Sequence, residues 1–329
     1  MKSFDEIFVD KTKYGVKVQT TEYSEMGEHI IIDQGQSQIA GYTDRQEGLF
    51  EEVPVVIFGD HTRVIKYVDE PFFLGADGVK VLRSKDDNAN YKYLYYALKN
   101  ARIPDTGYNR HFKWLKEVQI NYPDSDKQAE IVDILDNVSS VIKKREDELC
   151  VLDDLIKARF VEMFGDPVIN PMSWEKKRFD EICENLDSRR KPISSSDRVG
   201  GIYPYYGASG IVDYVEDYIF NENILLVSED GANLLMRSTP IAFSVSGKVW
   251  VNNHAHVVRF KEMCLQKYVE IYFSLIDISD NITGSAQPKL NQAKLNAMLI
   301  PIPDSSLLEQ YRKFINRIDK SKVVVASVR

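Results

Sequence analysis

The chain carries only three cysteines in 329 residues. Cys150, Cys183 and Cys264 lie far apart, and none belongs to a CxxC or stands near a histidine pair. That spacing excludes a disulfide framework and a structural zinc site. No apolar run approaches the ~20 residues that a membrane helix needs, so no membrane contact is expected. Asp5, Glu6 and Asp10 interrupt the first segment, MKSFDEIFVD, which therefore lacks the apolar stretch of a signal peptide. These absences point to a cytoplasmic protein. Also missing are the (N/D)-P-P-(F/Y) signature of adenine methyltransferases, the G-x-x-x-x-G-K-[ST] loop, G-x-G-x-x-G and H-E-x-x-H. No catalytic residue, cofactor site or metal site is expected in the chain itself.

Positive charge is also in short supply, the formal net charge being −8. Phosphate binding needs clustered Lys and Arg, so the total weakens a nucleic-acid reading. The charges are unevenly placed, however. REDELCVLDD (Arg145–Asp154) gathers acids on one predicted helix, and DSRRKPISSSDR (Asp187–Arg198) gathers cations in a predicted loop. With 43% hydrophobic and 28% charged residues, the chain has the composition of folded domains, and its length suits two of them.

The chain repeats itself. Phe4-Asp5-Glu6-Ile7 recurs as Phe179-Asp180-Glu181-Ile182, Thr106-Gly107 as Thr283-Gly284, and the Pro-Asp-Ser at Pro123 as that at Pro303. Three landmarks in one order at a slowly drifting offset indicate a duplication with small insertions. Each copy reads as a mixed globular unit followed by a helix. Strands are expected at His29–Asp33, Val53–Asp60, Asn223–Asp230 and Gly247–Asn252, where short β-rich runs end on Gly, Asn or Asp. Helices are expected at Tyr91–Asn100 and Leu265–Leu275, again in corresponding places.

The helix after the first unit is the strongest single element. Ser125 with Gln128 fits a capping box, as does Ser306 with Glu309 in the second copy. Ile131, Leu135, Val138, Ile142, Arg145, Leu149, Leu152, Ile156, Arg159 and Met163 then step by alternating fours and threes. This is a heptad seam, apolar apart from its two arginines, and it predicts a coiled coil. From Asp126 to Met163 it would span roughly 57 Å at ~1.5 Å per residue, which is the geometry of a spacer. The second copy repeats the pattern from Leu307 to Val324, and two such helices can pair antiparallel.

Candidate chemistry is sparse. Asp166 with Glu175-Lys176-Lys177 matches a loose D…E-x-K pattern for Mg²⁺-dependent phosphodiester cleavage, but it straddles a Gly-Asp-Pro turn and reads better as linker. His254-Ala-His256 puts two imidazoles on one strand face without a nearby third ligand. What remains is a pair of matching loops. Thr106–Val118 carries Arg110, His111, Lys113 and Lys116 among Tyr108, Phe112 and Trp114. Its counterpart Thr283–Leu295 carries Gln287, Lys289, Asn291, Gln292 and Lys294. Arg, Lys, Gln and Asn read guanine and adenine edges, and the two cations also neutralise phosphates. Arg189, Arg190 and Lys191 form a further basic cluster suited to phosphate contact.

Taken with this layout, three stretches carry a family resemblance. They are YPYYGASGIVDYVEDYIFNENILLVSEDGANLL (Tyr203–Leu235), GKVWVNNHAHVV (Gly247–Val258) and ITGSAQPKLNQAKLNAMLIPIP (Ile282–Pro303). In the first unit Ile30–Asp44 and Val55–Leu82 look like the other half of the same pattern. The chain resembles, over nearly its whole length, the DNA-specificity subunit of type I restriction-modification enzymes. The resemblance implies an α+β protein in which target-recognition domains at 1–122 and 166–302 alternate with conserved helices at 123–165 and 303–329. The helices would pair as an antiparallel coiled coil in a pseudo-twofold repeat. It further implies a split double-stranded DNA target, one half per domain. Two methylation subunits carrying S-adenosylmethionine would dock on the helices, and a motor-nuclease restriction subunit using ATP and Mg²⁺ would complete the complex. The chain would then be a recognition subunit and not itself an enzyme. The alternatives are a coiled-coil scaffold with protein- or glycan-binding domains, or a Mg²⁺-dependent nuclease built on Asp166, Glu175 and Lys177. Two departures from the family layout stand out. The second helix stops at Arg329 and is the shorter, which would leave Leu149 and Leu152 for a partner to cover. The first unit reaches FDEI almost at once, without an N-terminal arm.

Overall fold

A computed structural model describes residues 1–75, 77–107, 109–284 and 287–326. The chain divides into two compact units, Met1–Lys143 and Lys144–Arg329. In the first, the strand Val55–Gly59 is buried at every position. It pairs antiparallel with Ile65–Val68 on one side and Val79–Ser84 on the other, and Phe8–Asp10 completes the four-stranded sheet. A three-stranded sheet follows the order Gly41–Thr43, His29–Ile32, Phe72–Leu74, with the last two parallel. Successive side chains of Val55–Gly59 point to opposite faces. Val56 and Phe58 join the helix Tyr91–Lys99 in one core, while Val55 and Ile57 join Phe72 and Leu74 in another. Each such fully buried side chain contributes about 1.5–3 kcal/mol.

The second unit repeats this plan. Ile224–Ser228 is the central buried strand, flanked by Ala242–Val245 and Ala255–Arg259, with Glu184–Asn185 at the edge. The companion sheet runs Gly210–Val215, Gly200–Gly207, Lys248–Val251, Phe220–Asn221, and its two middle strands are again parallel. Leu225 and Val227 face the helix Met263–Leu275, whereas Ile224 and Leu226 face Val249 and Val251. The repeated FDEI is a helical turn in both units: Glu6 accepts from the Ser3 amide at 2.6 Å and Glu181 from the Arg178 amide at 2.9 Å. A short antiparallel ribbon closes each unit, Lys2–Ser3 with Gln119–Ile120 and Lys176–Arg178 with Leu299–Pro301.

The expected long helix forms from Ser125 to Phe164. Its cap differs from expectation. Asp124 rather than Ser125 precedes the first turn and accepts the Lys127 amide at 2.9 Å. Gln128 donates to the Pro123 carbonyl at 2.8 Å instead of closing a capping box. Asp and Ser cap equally well, so adjacent candidates shift the start by one residue. In the first unit Ile131 and Val132 pack on the helix Tyr91–Lys99, and Asp136 accepts from Tyr96 at 2.7 Å. In the second unit Ile156, Phe160 and Phe164 meet Tyr311 of the helix Ser305–Ala326, and Lys322 reaches back to Asp153. The two segments therefore run antiparallel there, as the heptads suggest. The seam is not evenly covered, for Val138 and Ile142 are 50% and 41% exposed while Leu149 and Leu152 are half-buried.

An aromatic knot holds the helix pair to the second unit. Phe160 stacks on Tyr268 at 4.9 Å, and the Tyr311 hydroxyl donates to the Ile156 carbonyl at 2.9 Å. Phe160→Ala should cost about 3–5 kcal/mol, whereas Tyr311→Phe, which removes one hydrogen bond, should cost about 0.5–1.5 kcal/mol. Urea unfolding of the full chain checks both. Equal effects would mean that the hydroxyl rather than the packing dominates.

Candidate nucleic-acid interface

Both units attach a basic loop to the residue that follows their central strand. In the first unit that residue is Asp60, only 3% exposed. Its carbonyl accepts the His111 amide at 2.7 Å and the His111 Nδ1 at 3.1 Å, and its carboxylate accepts the Phe112 amide at 2.7 Å. Since a carbonyl can only accept, Nδ1 carries a proton, and Nε2 is left to accept from the Thr106 hydroxyl at 3.3 Å. Arg110, one residue before this anchor, is exposed. The carboxyl of Asp77 is held low chiefly by its bond to Lys17, with Arg110 adding a smaller pull. Lys113 lies over its neighbour Trp114 at 4.8 Å. Phe112 is sandwiched between Lys80 and Lys116 and meets Phe4 edge-on at 5.9 Å, so it is core rather than a stacking platform. Tyr108 lies outside the described residues.

In the second unit Glu229 takes the place of Asp60. Its carbonyl accepts the Leu290 amide at 2.8 Å, and Gly231 binds the Pro288 carbonyl at 3.0 Å. Thr283 and Lys289 exchange both backbone bonds at 2.8 Å. Lys289, exposed and one residue before the anchored Leu290, thus occupies the position of Arg110. Here the anchor is charged. Glu229 binds Arg190 at 2.6 Å and Lys289 at 3.0 Å. Asp187 binds His256 Nδ1 at 2.6 Å, Arg190 at 3.3 Å and the Val257 amide at 2.8 Å. His256 Nε2 lies 2.8 Å from the Leu290 carbonyl. Burial opposes the charge on both acids most strongly. The bond from His256 to Asp187, and those from Arg190 and Lys289 to Glu229, more than offset it and hold both below the usual carboxylate range.

Several expected contacts face inward instead. His111 is 1% exposed and serves the loop anchor, and Arg190 is enclosed by Asp187, Glu229 and the Ala255 carbonyl at 2.8 Å. Neither ring nor guanidinium is presented to a ligand, because each satisfies a buried acceptor. Arg189 binds Glu222 at 2.7 Å and lies over Phe220, while Lys191 and Gln287 are exposed. Asn291 caps the helix Gln292–Ala297 by accepting the Lys294 amide at 2.9 Å. Asp166 spends its carboxylate on the Val168 and Ile169 amides at 2.8 and 3.0 Å, a turn rather than a cleavage site. Asp187 and Glu229 were not singled out by the sequence. Only strand pairing brings them to His256, and nothing in their spacing signals it. The ligand atoms of Asp187, Glu229 and His256 lie within 4.8 Å of one another.

Comparison with known proteins agrees with this duplicated architecture. Residues 11–150 and 171–323 match the family described as type I restriction modification DNA specificity domain, one match in each unit. The chain belongs to that family, the specificity subunits of type I restriction-modification systems. It is 38% identical over 155 residues to a type I restriction enzyme specificity subunit of Haemophilus influenzae, covering 47% of this chain and 40% of that one. It is 25% identical to the EcoR124I/EcoR124II specificity subunit of Escherichia coli, over 96% of this chain and 84% of that one. Among solved structures, the S subunit of the M. genitalium type I system covers 99% of this chain and 92% of its own length, with a TM-score of 0.52 at 15% identity, a likeness of fold. The scaffold and nuclease alternatives find no support in these matches.

Acid should loosen the second anchor. Asp187 and Glu229 have folded pKa values below their unfolded ones. Their contribution is therefore complete above the unfolded range, roughly pH 4, and is lost as the pH falls through the folded values. Asp187→Asn should flatten that acid-side decline in the urea midpoint of the full chain. An unchanged slope would show that the acid contributes no proton-linked stability.

Proposed function

We propose that this chain reads a split double-stranded DNA sequence, one half per globular unit, and that the continuous helix Ser125–Phe164 sets the gap between the halves. The observation that carries the reading is the recurrence of one construction. In each unit the residue after the central strand holds a loop by its backbone, with an exposed cation, Arg110 or Lys289, immediately before the held residue. Arginine and lysine recognise the guanine major-groove edge, so a matched pair of such loops suits two half-sites. The names of the relatives support assembly into a restriction enzyme. Two methylation subunits would bring S-adenosylmethionine and act on adenines flipped out of the duplex. A motor-nuclease subunit would bring the ATP- and Mg²⁺-dependent chemistry. The exposed Val138 and Ile142 of the long helix, and the net charge of −8, favour protein partners along it. The anchor of the second unit is read as structural and not as an ion site, because Arg190 and Lys289 already balance its acids.

Co-expression with the host's adenine methylation subunits, followed by mapping of methylated adenines, tests this directly. A split motif with a fixed gap is expected, and methylation lacking any motif would sink the reading. Arg110→Ala should weaken binding by ~1–3 kcal/mol and relax one half-site only; Lys289→Ala should relax the other. A uniform loss across sequences would make either residue a phosphate contact.

A further inference from the structure

The register of the two sheets is the same, and it places different cations at one position. Lys80 lies opposite Phe58 in the first unit, and His256 lies opposite Val227 in the second. Lys80 pairs with Asp10 at 3.4 Å and stays charged through neutral and alkaline pH. His256 is 1% exposed, and both ring nitrogens face acceptors: Asp187 at 2.6 Å and the Leu290 carbonyl at 2.8 Å. A carbonyl cannot donate, and neither can an ionised carboxylate. A neutral ring would therefore turn a lone pair on one of them. Only the doubly protonated ring donates at both ends. The charged groups facing it are Asp187 and, at 3.7 Å, Glu229, with Arg190 bridging the two acids and Lys289 on Glu229.

We infer that His256, held as an imidazolium, is the positioning residue of the second loop, tying Leu290 to Asp187 so that Lys289 is presented in one geometry. The first unit, with Lys80 at the same register, has no such dependence on pH. The inference rests on the reading of these loops as DNA contacts, and it adds an asymmetry to it. When the ring gives its proton to solvent, one of its two bonds is lost and the Leu290 end of the loop is freed. Reading by the second unit then slackens at alkaline pH while reading by the first does not.

The test uses the full chain with ¹⁵N-labelled histidine rings, the His256 signal being assigned by its loss in His256→Gln. At neutral pH both ring nitrogens should show protonated shifts. As the pH rises, loss of one proton should coincide with about tenfold faster amide exchange at Lys289 and Leu290, corrected for the intrinsic rise, the effect expected for one charge-assisted bond. Exchange at His111 and Phe112 should not change. His256→Lys, a cation that does not titrate in this range, should keep exchange slow and make it independent of pH. A neutral ring at neutral pH, or an unchanged loop on deprotonation, overturns the inference; both arms use the unmutated chain and do not depend on a variant folding. Methylation mapping of the assembled complex at neutral and alkaline pH separates the two levels. If the loop loosens as expected but neither half-site relaxes, the clamp stands and the DNA-reading role of the loop falls.

Discussion

Each unit depends on one acidic residue at the end of its central strand. Asp60 and Glu229 leave a fully buried strand, and each offers its carbonyl to the loop that returns from across the unit. A buried amide without a partner costs about 1–3 kcal/mol, so the loop cannot drift from this carbonyl without penalty. The side chain then secures the attachment in two ways. Asp60 captures a second loop amide, while Glu229 gathers two cations. An exposed basic residue next to such a fixture has a defined origin, which is what discrimination between bases requires.

Comparing the units position by position separates backbone from side chain. Thr12 and Asp187 accept the amides of Val81 and Val257, which are equivalent strand residues. His111 and Leu290 occupy the same anchored site, one polar and one apolar. The backbone bonds persist while the groups around them differ in charge. A scaffold whose hydrogen bonds are mostly main-chain tolerates such exchange, because no particular side chain is needed to satisfy them.

The fold was more legible than the site for a physical reason. Runs such as VVIFG and ILLVS announce buried strands by composition, and the duplication supplied every landmark twice. Arg110 and Lys289 were found because the loops recur. His111 and Arg190 were expected to face DNA, yet they are internal, since residue type says nothing about direction. Their partners Asp60, Asp187 and Glu229 come from strands remote in sequence. Heptad spacing likewise foretold the long helix but not that Val138 and Ile142 would stand uncovered. Periodicity reports which side is apolar and not what lies against it.

The two closing ribbons have a consequence for how such a molecule changes. Because Lys2–Ser3 pairs with Gln119–Ile120, and Lys176–Arg178 with Leu299–Pro301, the chain enters and leaves each unit through neighbouring strands. Everything between those strands is a closed detour from the path of the helices. A detour can be lengthened, shortened or replaced whole while the ribbon and the helix that follows it keep their course. Novelty in one unit is thereby insulated from the rest of the chain, and a new reader can be installed without redesigning the frame that carries it.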